Sequence, residues 1–251
     1  MLTVKKEIAM QVSELSYPQA SAPVELRSKP ACPLITDPEQ RPAVEHFGIL
    51  RARLLNACHK SGVRSVLVSS PQRQDGKSFT SLNLAISLAQ LQRMRVLLVD
   101  GDLRLKGITR NLELESSIGF ADYLQEWAPF EDCVKATTLP HLSVAPAGTV
   151  SAESLPAILE GARWPEFIQR AKQEFDLLIV DSVPVSAPIA DFELLLNACD
   201  AALLVVHVRK TNREAMDVSA NRMQGKLLGV VVNNKEFQPG FDYNSGYGDT
   251  K

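Results

Sequence analysis

Five short, almost uninterrupted apolar runs constrain this chain more than any other feature: Ser65–Val68, Val96–Val99, Leu177–Val180, Ala202–Val206 and Leu227–Val232. Runs this short and this rich in Val and Leu suit strands buried on both faces of a parallel sheet. Helical segments separate them: Phe79–Leu91, Pro156–Glu174 with a break near Trp164-Pro165, and Arg213–Gln224. Thr211 and Glu214 have the spacing of a capping box at the start of the last of these. Val44, Phe47, Leu50 and Leu54 recur at helical spacing before the first run, and a weaker strand is expected at Leu142–Ala145. The pattern predicts an α/β fold: a doubly wound, mostly parallel sheet over residues 43–234.

The flanks read differently. Residues 1–42 hold six of the fifteen prolines and no sustained apolar period, so a flexible tail is expected there. Residues 235–251 are polar and glycine-bearing and read as a second flexible tail, which carries two of the four tyrosines, Tyr243 and Tyr247.

Composition excludes several classes. With 27 Lys and Arg against 29 Asp and Glu, the formal charge is −2, which argues against bulk electrostatic binding of nucleic acid. No apolar run approaches the roughly 20 residues of a bilayer span, and no signal-peptide pattern opens the chain. Cys32, Cys58, Cys133 and Cys199 lie far apart without CxxC spacing, as expected of reduced thiols in a cytoplasmic protein. The four histidines form no metal-ligating spacing.

In doubly wound sheets ligands bind beyond the carboxyl ends of the strands, so the residues following each run carry the functional signal. The first run leads through Ser69-Ser70-Pro71-Gln72-Arg73-Gln74-Asp75 into Gly76-Lys77-Ser78 and a helix. Gly76 permits close backbone approach to a phosphate, Lys77 reaches the β- and γ-phosphates, and the Ser78 hydroxyl can ligate Mg²⁺. Pro71 stands where the usual motif has its first glycine. The second run ends in Asp100-Gly101-Asp102-Leu103-Arg104. Two carboxylates so spaced can hold the waters of Mg²⁺ or accept a proton from a nucleophile. The Leu177–Val180 run ends in Asp181, the position of a Mg²⁺-organising carboxylate. Together the three segments predict a site for a nucleoside triphosphate and Mg²⁺, with metal contacts from Ser78, Asp100 and Asp181.

These residues resemble the bacterial tyrosine kinases of capsule and exopolysaccharide synthesis, a branch of the deviant P-loop group that includes MinD and ParA. The resemblance spans roughly residues 37–237. It rests on Glu45-His-Phe-Gly-Ile-Leu-Arg51, Lys77-Ser78, Asp100-Gly-Asp102-Leu-Arg104, Asp181-Ser-Val-Pro184, Asp191, the Leu203–Thr211 segment and Gly229-Val-Val-Val-Asn233. Gln72 stands where MinD and ParA relatives carry an extra lysine, which favours the kinase branch.

The resemblance implies transfer of phosphate from ATP to protein tyrosine. Lys77, Asp100 and Asp102 would be catalytic; either aspartate could take the tyrosine proton. Gly76, Lys77, Ser78, Phe79, Arg104 and Asn233 would bind nucleotide, Asn233 at the adenine edge. Tyr243 and Tyr247 would be the phosphoacceptors. It also implies a homo-oligomer assembled through the Glu45–Arg51 helix, and no nucleic-acid partner. A separately encoded membrane polysaccharide co-polymerase would hold the protein peripherally at the inner face of the plasma membrane.

Three departures accompany it: Arg73-Gln74 replaces a usual Pro-Gly, Val183 a usual proline, and Gly48 the middle arginine of the oligomerisation helix. Two further readings remain open, a non-catalytic or weakly active ATP-binding regulator of the same system and a MinD- or ParA-like positioning ATPase.

Overall fold

The computed structural model describes residues 22–30, 32–151, 153–187 and 190–233. The apolar runs become β1 (Ser65–Ser69), β2 (Val96–Asp100), β4 (Leu142–Ala145), β5 (Leu177–Asp181), β6 (Ala201–His207) and β7 (Leu227–Asn233), joined by a two-residue β3 (Lys135–Ala136). They form one sheet in the order β3-β4-β2-β5-β1-β6-β7, parallel except for the β3–β4 pair. Alternate residues of each run serve opposite faces. Leu67, Leu97, Val99, Leu178, Val180 and Leu204 belong to one hydrophobic cluster; Val66, Val68, Leu98, Ile179, Leu203 and Val205 belong to the other. That two-sided burial is why the runs lack polar alternation.

One face is covered by α1 (Arg41–Ser61) and α2 (Lys77–Ala89). The expected start of α2 at Phe79 moves back to Lys77, because Gly76 supplies the left-handed turn (φ +99°) that opens the helix. Short helices follow β2: α3 (Gly107–Asn111), α4 (Phe120–Leu124) and α5 (Phe130–Cys133). The expected helix over 156–174 divides into α6 (Leu155–Glu160) and α7 (Arg163–Glu174), with the break at Gly161-Ala162, just before Trp164-Pro165. The set is completed by α8 (Asp191–Ala198) and α9 (Arg213–Arg222). Phe167 anchors this second face, with Phe120, Phe130 and Tyr123 rings centred 5.0, 5.1 and 5.2 Å away. Truncating such a buried aromatic to Ala costs about 3–5 kcal/mol.

Two local expectations change. The cap of α9 is Asn212, whose side chain accepts from Ala215 N–H at 2.7 Å. Thr211 instead turns its hydroxyl to accept from His207 N–H at 3.0 Å, so the Thr211–Glu214 capping box does not form.

The described part of the amino-terminal segment is also no free tail. Val24 pairs beside Thr137 at the β3 edge, donating to Ala136 O and accepting from Thr138 N–H, both at 2.8 Å. Leu34 and Ile35 are buried against α2, where Asn83 Oδ1 accepts from Ile35 N–H at 2.8 Å. A few apolar anchors and side-chain hydrogen bonds hold a proline-rich strap that has no periodicity of its own.

All four cysteines are buried and free of disulfides. Burial pushes the thiols of Cys32 and Cys58 up to about 11 and those of Cys133 and Cys199 up to about 12, far from the thiolate form.

Candidate functional site

The strand order decides where the motifs meet. β5 lies between β2 and β1, so three motif-bearing strands end side by side, and Asp100 stands opposite Asp181 in register. Gly101 makes this closeness possible: its N–H donates to Asp181 O at 2.9 Å, and a Cβ there would come within 2.7 Å of that backbone oxygen.

Lys77 opens α2 with its side chain folded over the carboxylates. Its ammonium lies 3.0 Å from Asp102 Oδ2 and 4.0 Å from Asp181 Oδ2. Ser78 Oγ donates to Asp181 Oδ2 at 2.6 Å, and Ser81 Oγ to Asp181 Oδ1 at 3.1 Å. Burial pulls the Lys77 pKa down, but Asp181, Asp102 and Asp100 outweigh it and the group stays firmly charged. Burial raises Asp181, opposed by Lys77. Asp100 is fully buried, and burial with the nearby Asp181 charge raises it to about 7. Its Oδ2 accepts from Thr109 N–H and Thr109 Oγ1–H at 2.8 and 2.7 Å, whereas its Oδ1 has no partner among the described residues.

The phosphate loop is braced from both sides. Val185 N–H donates to Ser70 O at 2.8 Å, and Gln72 N–H to Asp75 Oδ2 at 2.9 Å. Gln74 takes a left-handed conformation, φ +66°, at the second position of the Arg73-Gln74 pair. Asn233, at the end of β7, donates from Nδ2 to Asp75 O at 2.9 Å and presses on Gly76, where a Cβ would overlap its amide.

Of the residues singled out in the sequence, Gly76, Lys77, Ser78, Asp100, Asp102 and Asp181 converge, and Asn233 borders the loop. Two point elsewhere. The Phe79 ring packs edge-on against Phe47, 5.8 Å between centroids, so only its backbone is available to a phosphate. Arg104 turns its guanidinium onto buried Asp191, with Nε at 2.8 Å from Oδ2. In α1, Glu45 is exposed, but Arg51 donates to Ser87 O at 2.7 Å within the chain. Tyr243 and Tyr247 lie outside the described residues. Sequence reading missed Ser81 and Thr109. Ser81, four residues after Lys77 on α2, was accessible from helical spacing; Thr109 carried no such signal.

The donor set suits a hard divalent cation. Mg²⁺ is held through one or two carboxylates, with a hydroxyl, waters and phosphate oxygens completing its shell. Ser78, Asp181 and the unpartnered Asp100 oxygen match that demand. Among the described residues no group of three or more His, Cys, Asp or Glu forms a self-sufficient metal cage.

Sheet order, phosphate loop and paired carboxylates define a P-loop nucleotide-binding protein. A scan against models of protein families finds no match. The tyrosine-protein kinase YwqD of Bacillus subtilis is 31% identical over 211 residues, covering 82% of this chain and 86% of that one. The tyrosine-protein kinase CpsD of Streptococcus agalactiae is 29% identical over 193 residues, 75% and 81% of the two chains. Among solved structures, the kinase domain of the Escherichia coli tyrosine kinase ETK superposes with a TM-score of 0.72 at 25% identity, covering 82% of this chain and 80% of that domain. The septum site-determining protein MinD from Pyrococcus horikoshii, complexed with Mg-ADP, shares the fold, with a TM-score of 0.53 at 23% identity and 67% of each chain covered. The chain belongs to the bacterial tyrosine-protein kinases.

Proposed function

We propose that this kinase uses ATP and Mg²⁺ to phosphorylate tyrosines of its own carboxy-terminal segment, Tyr243 and Tyr247, and thereby regulates capsule or exopolysaccharide synthesis. The observation that carries this reading is the convergence of Lys77, Ser78, Asp100, Asp102 and Asp181 at the ends of three adjacent strands. Lys77 would exchange its contact with Asp102 for the β- and γ-phosphates, with the amino terminus of α2 adding partial positive charge. Ser78 and Asp181, with Asp100, would hold Mg²⁺, which when bound neutralises the charge of the transferring phosphoryl group. As the tyrosine oxygen bonds to the γ-phosphorus and the bond to the β-phosphate oxygen breaks, Asp100 or Asp102 takes the phenolic proton and ADP departs.

Among the described residues no helix is long and apolar enough to cross a membrane. Action at the inner face of the plasma membrane would run through a membrane co-polymerase, and assembly into a homo-oligomer would use α1. Arg51 is engaged by Ser87, while Val44, Glu45, Ile49, Arg53 and Asn56 are among the residues of α1 that are exposed.

Phosphotyrosine mass spectrometry after incubation with Mg-ATP, with and without the co-polymerase, tests the reading. Phosphate on Tyr243 or Tyr247 that disappears in Lys77→Met supports it; undiminished labelling in that variant sinks it. A second reading, an ATP-binding regulator of low activity, is favoured by the left-handed Gln74 and by Asp75 holding the Gln72 N–H inside the phosphate loop. Tight ATP binding without phosphotyrosine, even beside the membrane partner, selects it.

A further inference from the structure

The proposed Mg–ATP site gives no role to the contact that Thr109 makes with Asp100. Thr109, in the short helix α3, is 1% exposed and lies nine residues beyond Asp100 in the chain. Its hydroxyl is engaged twice. Ala147 N–H donates to Thr109 Oγ1 at 2.7 Å, and Thr109 Oγ1 lies 2.7 Å from Asp100 Oδ2. A hydroxyl has a single hydrogen. Because the backbone N–H of Ala147 can only donate, the hydroxyl must receive there and give its proton to Asp100. The backbone N–H of Thr109 donates to the same Oδ2 at 2.8 Å. Two donors thus occupy one carboxylate oxygen, while Oδ1 is buried and has no partner among the described residues. A buried carboxylate oxygen is costly to leave bare, and here the bare oxygen belongs to the residue facing Asp181 across the strand pair.

We propose that Thr109 is a positioning residue: by holding Asp100 Oδ2 it fixes the carboxylate's rotation and presents Oδ1 to the hydrated Mg²⁺ of the nucleotide complex. The assignment rests on the Mg–ATP reading of the site. It makes α3 a support for the metal shell, comparable to the outer hydrogen bonds that orient ligands in other metal sites. Ala147 takes part through its backbone alone, so the relay Ala147 N–H, Thr109 O–H, Asp100 Oδ2 depends on a single side-chain hydroxyl between fixed ends.

The test compares full-length wild type, Thr109→Val and Thr109→Ser. Valine keeps the volume and removes the hydroxyl; serine keeps the hydroxyl. Binding of a fluorescent ADP analogue is titrated with Mg²⁺ and again with EDTA, and the ratio of the two affinities is the metal gain. We expect Thr109→Val to bind metal-free nucleotide as wild type does but to lose about tenfold of the metal gain, with Thr109→Ser retaining it. A Thr109→Val protein with the full gain overturns the proposal. Equal weakening with and without metal also overturns it, since that marks a general role in folding the loop. If Thr109→Val fails to fold, Thr109→Ala against Thr109→Ser gives the same comparison. A wild type with no metal gain overturns the Mg²⁺ reading and this inference together. Absent tyrosine phosphorylation with the metal gain intact defeats only the kinase reading.

Discussion

Lys77→Met is the obvious inactivating substitution, and the geometry predicts that it also unfolds the protein more easily. Lys77 is the only ammonium within 4.0 Å of the buried Asp102 and Asp181 carboxylates among the described residues. At an effective dielectric constant near 20, contacts at 3.0 and 4.0 Å are worth roughly 5 and 4 kcal/mol before desolvation. The protein need not lose the whole sum, because the cluster can take up a proton instead. Protonating one aspartate of ordinary pKa at pH 7.5 costs at most about 5 kcal/mol. Removing one partner of a buried pair typically costs about 3–5 kcal/mol, in agreement.

The nucleotide-free variant should therefore melt roughly 8–16 °C below wild type at pH 7.5, taking about 4 kcal/mol and about 2–4 °C per kcal/mol. The sign of the pH dependence follows from the same proton. The folded variant holds a proton that the unfolded chain lacks, so its deficit shrinks on acidification, by about 2 kcal/mol between pH 7.5 and 6.0. Adding Asp102→Asn should restore about half of the loss. Thermal unfolding at the two pH values measures all of this. A Lys77→Met protein melting within 2 °C (about 1 kcal/mol) of wild type, or a deficit that grows on acidification, would refute the reasoning.

The other predictions are more local. Gln74→Gly should stabilise by up to about 1 kcal/mol, because a left-handed residue with a Cβ costs about 1–2 kcal/mol and glycine returns part of that as unfolded-state entropy. Gln74→Val should destabilise, and denaturant midpoints in any order other than Gly above Gln above Val would contradict the assigned strain. Asp100, near 7 when folded and near 3.8 when unfolded, makes the nucleotide-free fold lose stability as pH rises from about 4 to 7. Chemical denaturation at pH 5 and 8 should show a flatter dependence in Asp100→Asn; equal slopes would show that Asp100 does not titrate in that window. Asn83→Ala strips the partner from Ile35 N–H at a cost of about 1–3 kcal/mol. Limited proteolysis should then cut within residues 22–40 well before global unfolding, and unchanged cleavage would count against the clamp.

The sheet was legible because β1, β2, β5 and β6 are buried on both faces, and β7, although its Val230 and Val232 are exposed, keeps the same unbroken apolar run. Ser65–Val68 and its companions needed no knowledge of their neighbours to be read as strands, and only their ends moved, by one residue. The three motifs were legible for a related reason: each is tied to a strand terminus, and strand order alone brings Asp100 opposite Asp181. Features that depend on contacts distant in sequence escaped. The strap from Val24 to Ile35 is averaged away by its prolines, since its anchors bind partners near Asn83 and Thr137 that no local window contains. Arg51 has the spacing of an outward-facing arginine, yet Ser87 offers it a carbonyl and a hydroxyl. The α9 cap moved by one residue because His207 N–H competes for the Thr211 oxygen. Thr109 sits in a five-residue helix without periodicity, and its role exists only because Ala147 and Asp100 close on it from two other segments.

The strap also has a mechanical meaning. Tension applied upstream of residue 22 would meet the sheet edge first, where the two backbone hydrogen bonds of Val24 share the load. Once they yield, the pull passes through Leu34 and Ile35 to Asn83, six residues along the helix that begins with Lys77. A tether attached at that end therefore pulls in series, first on the outermost strand and then on the helix bearing the phosphate-binding lysine. In a force-ramp measurement, two separate yield events should precede rupture of the sheet.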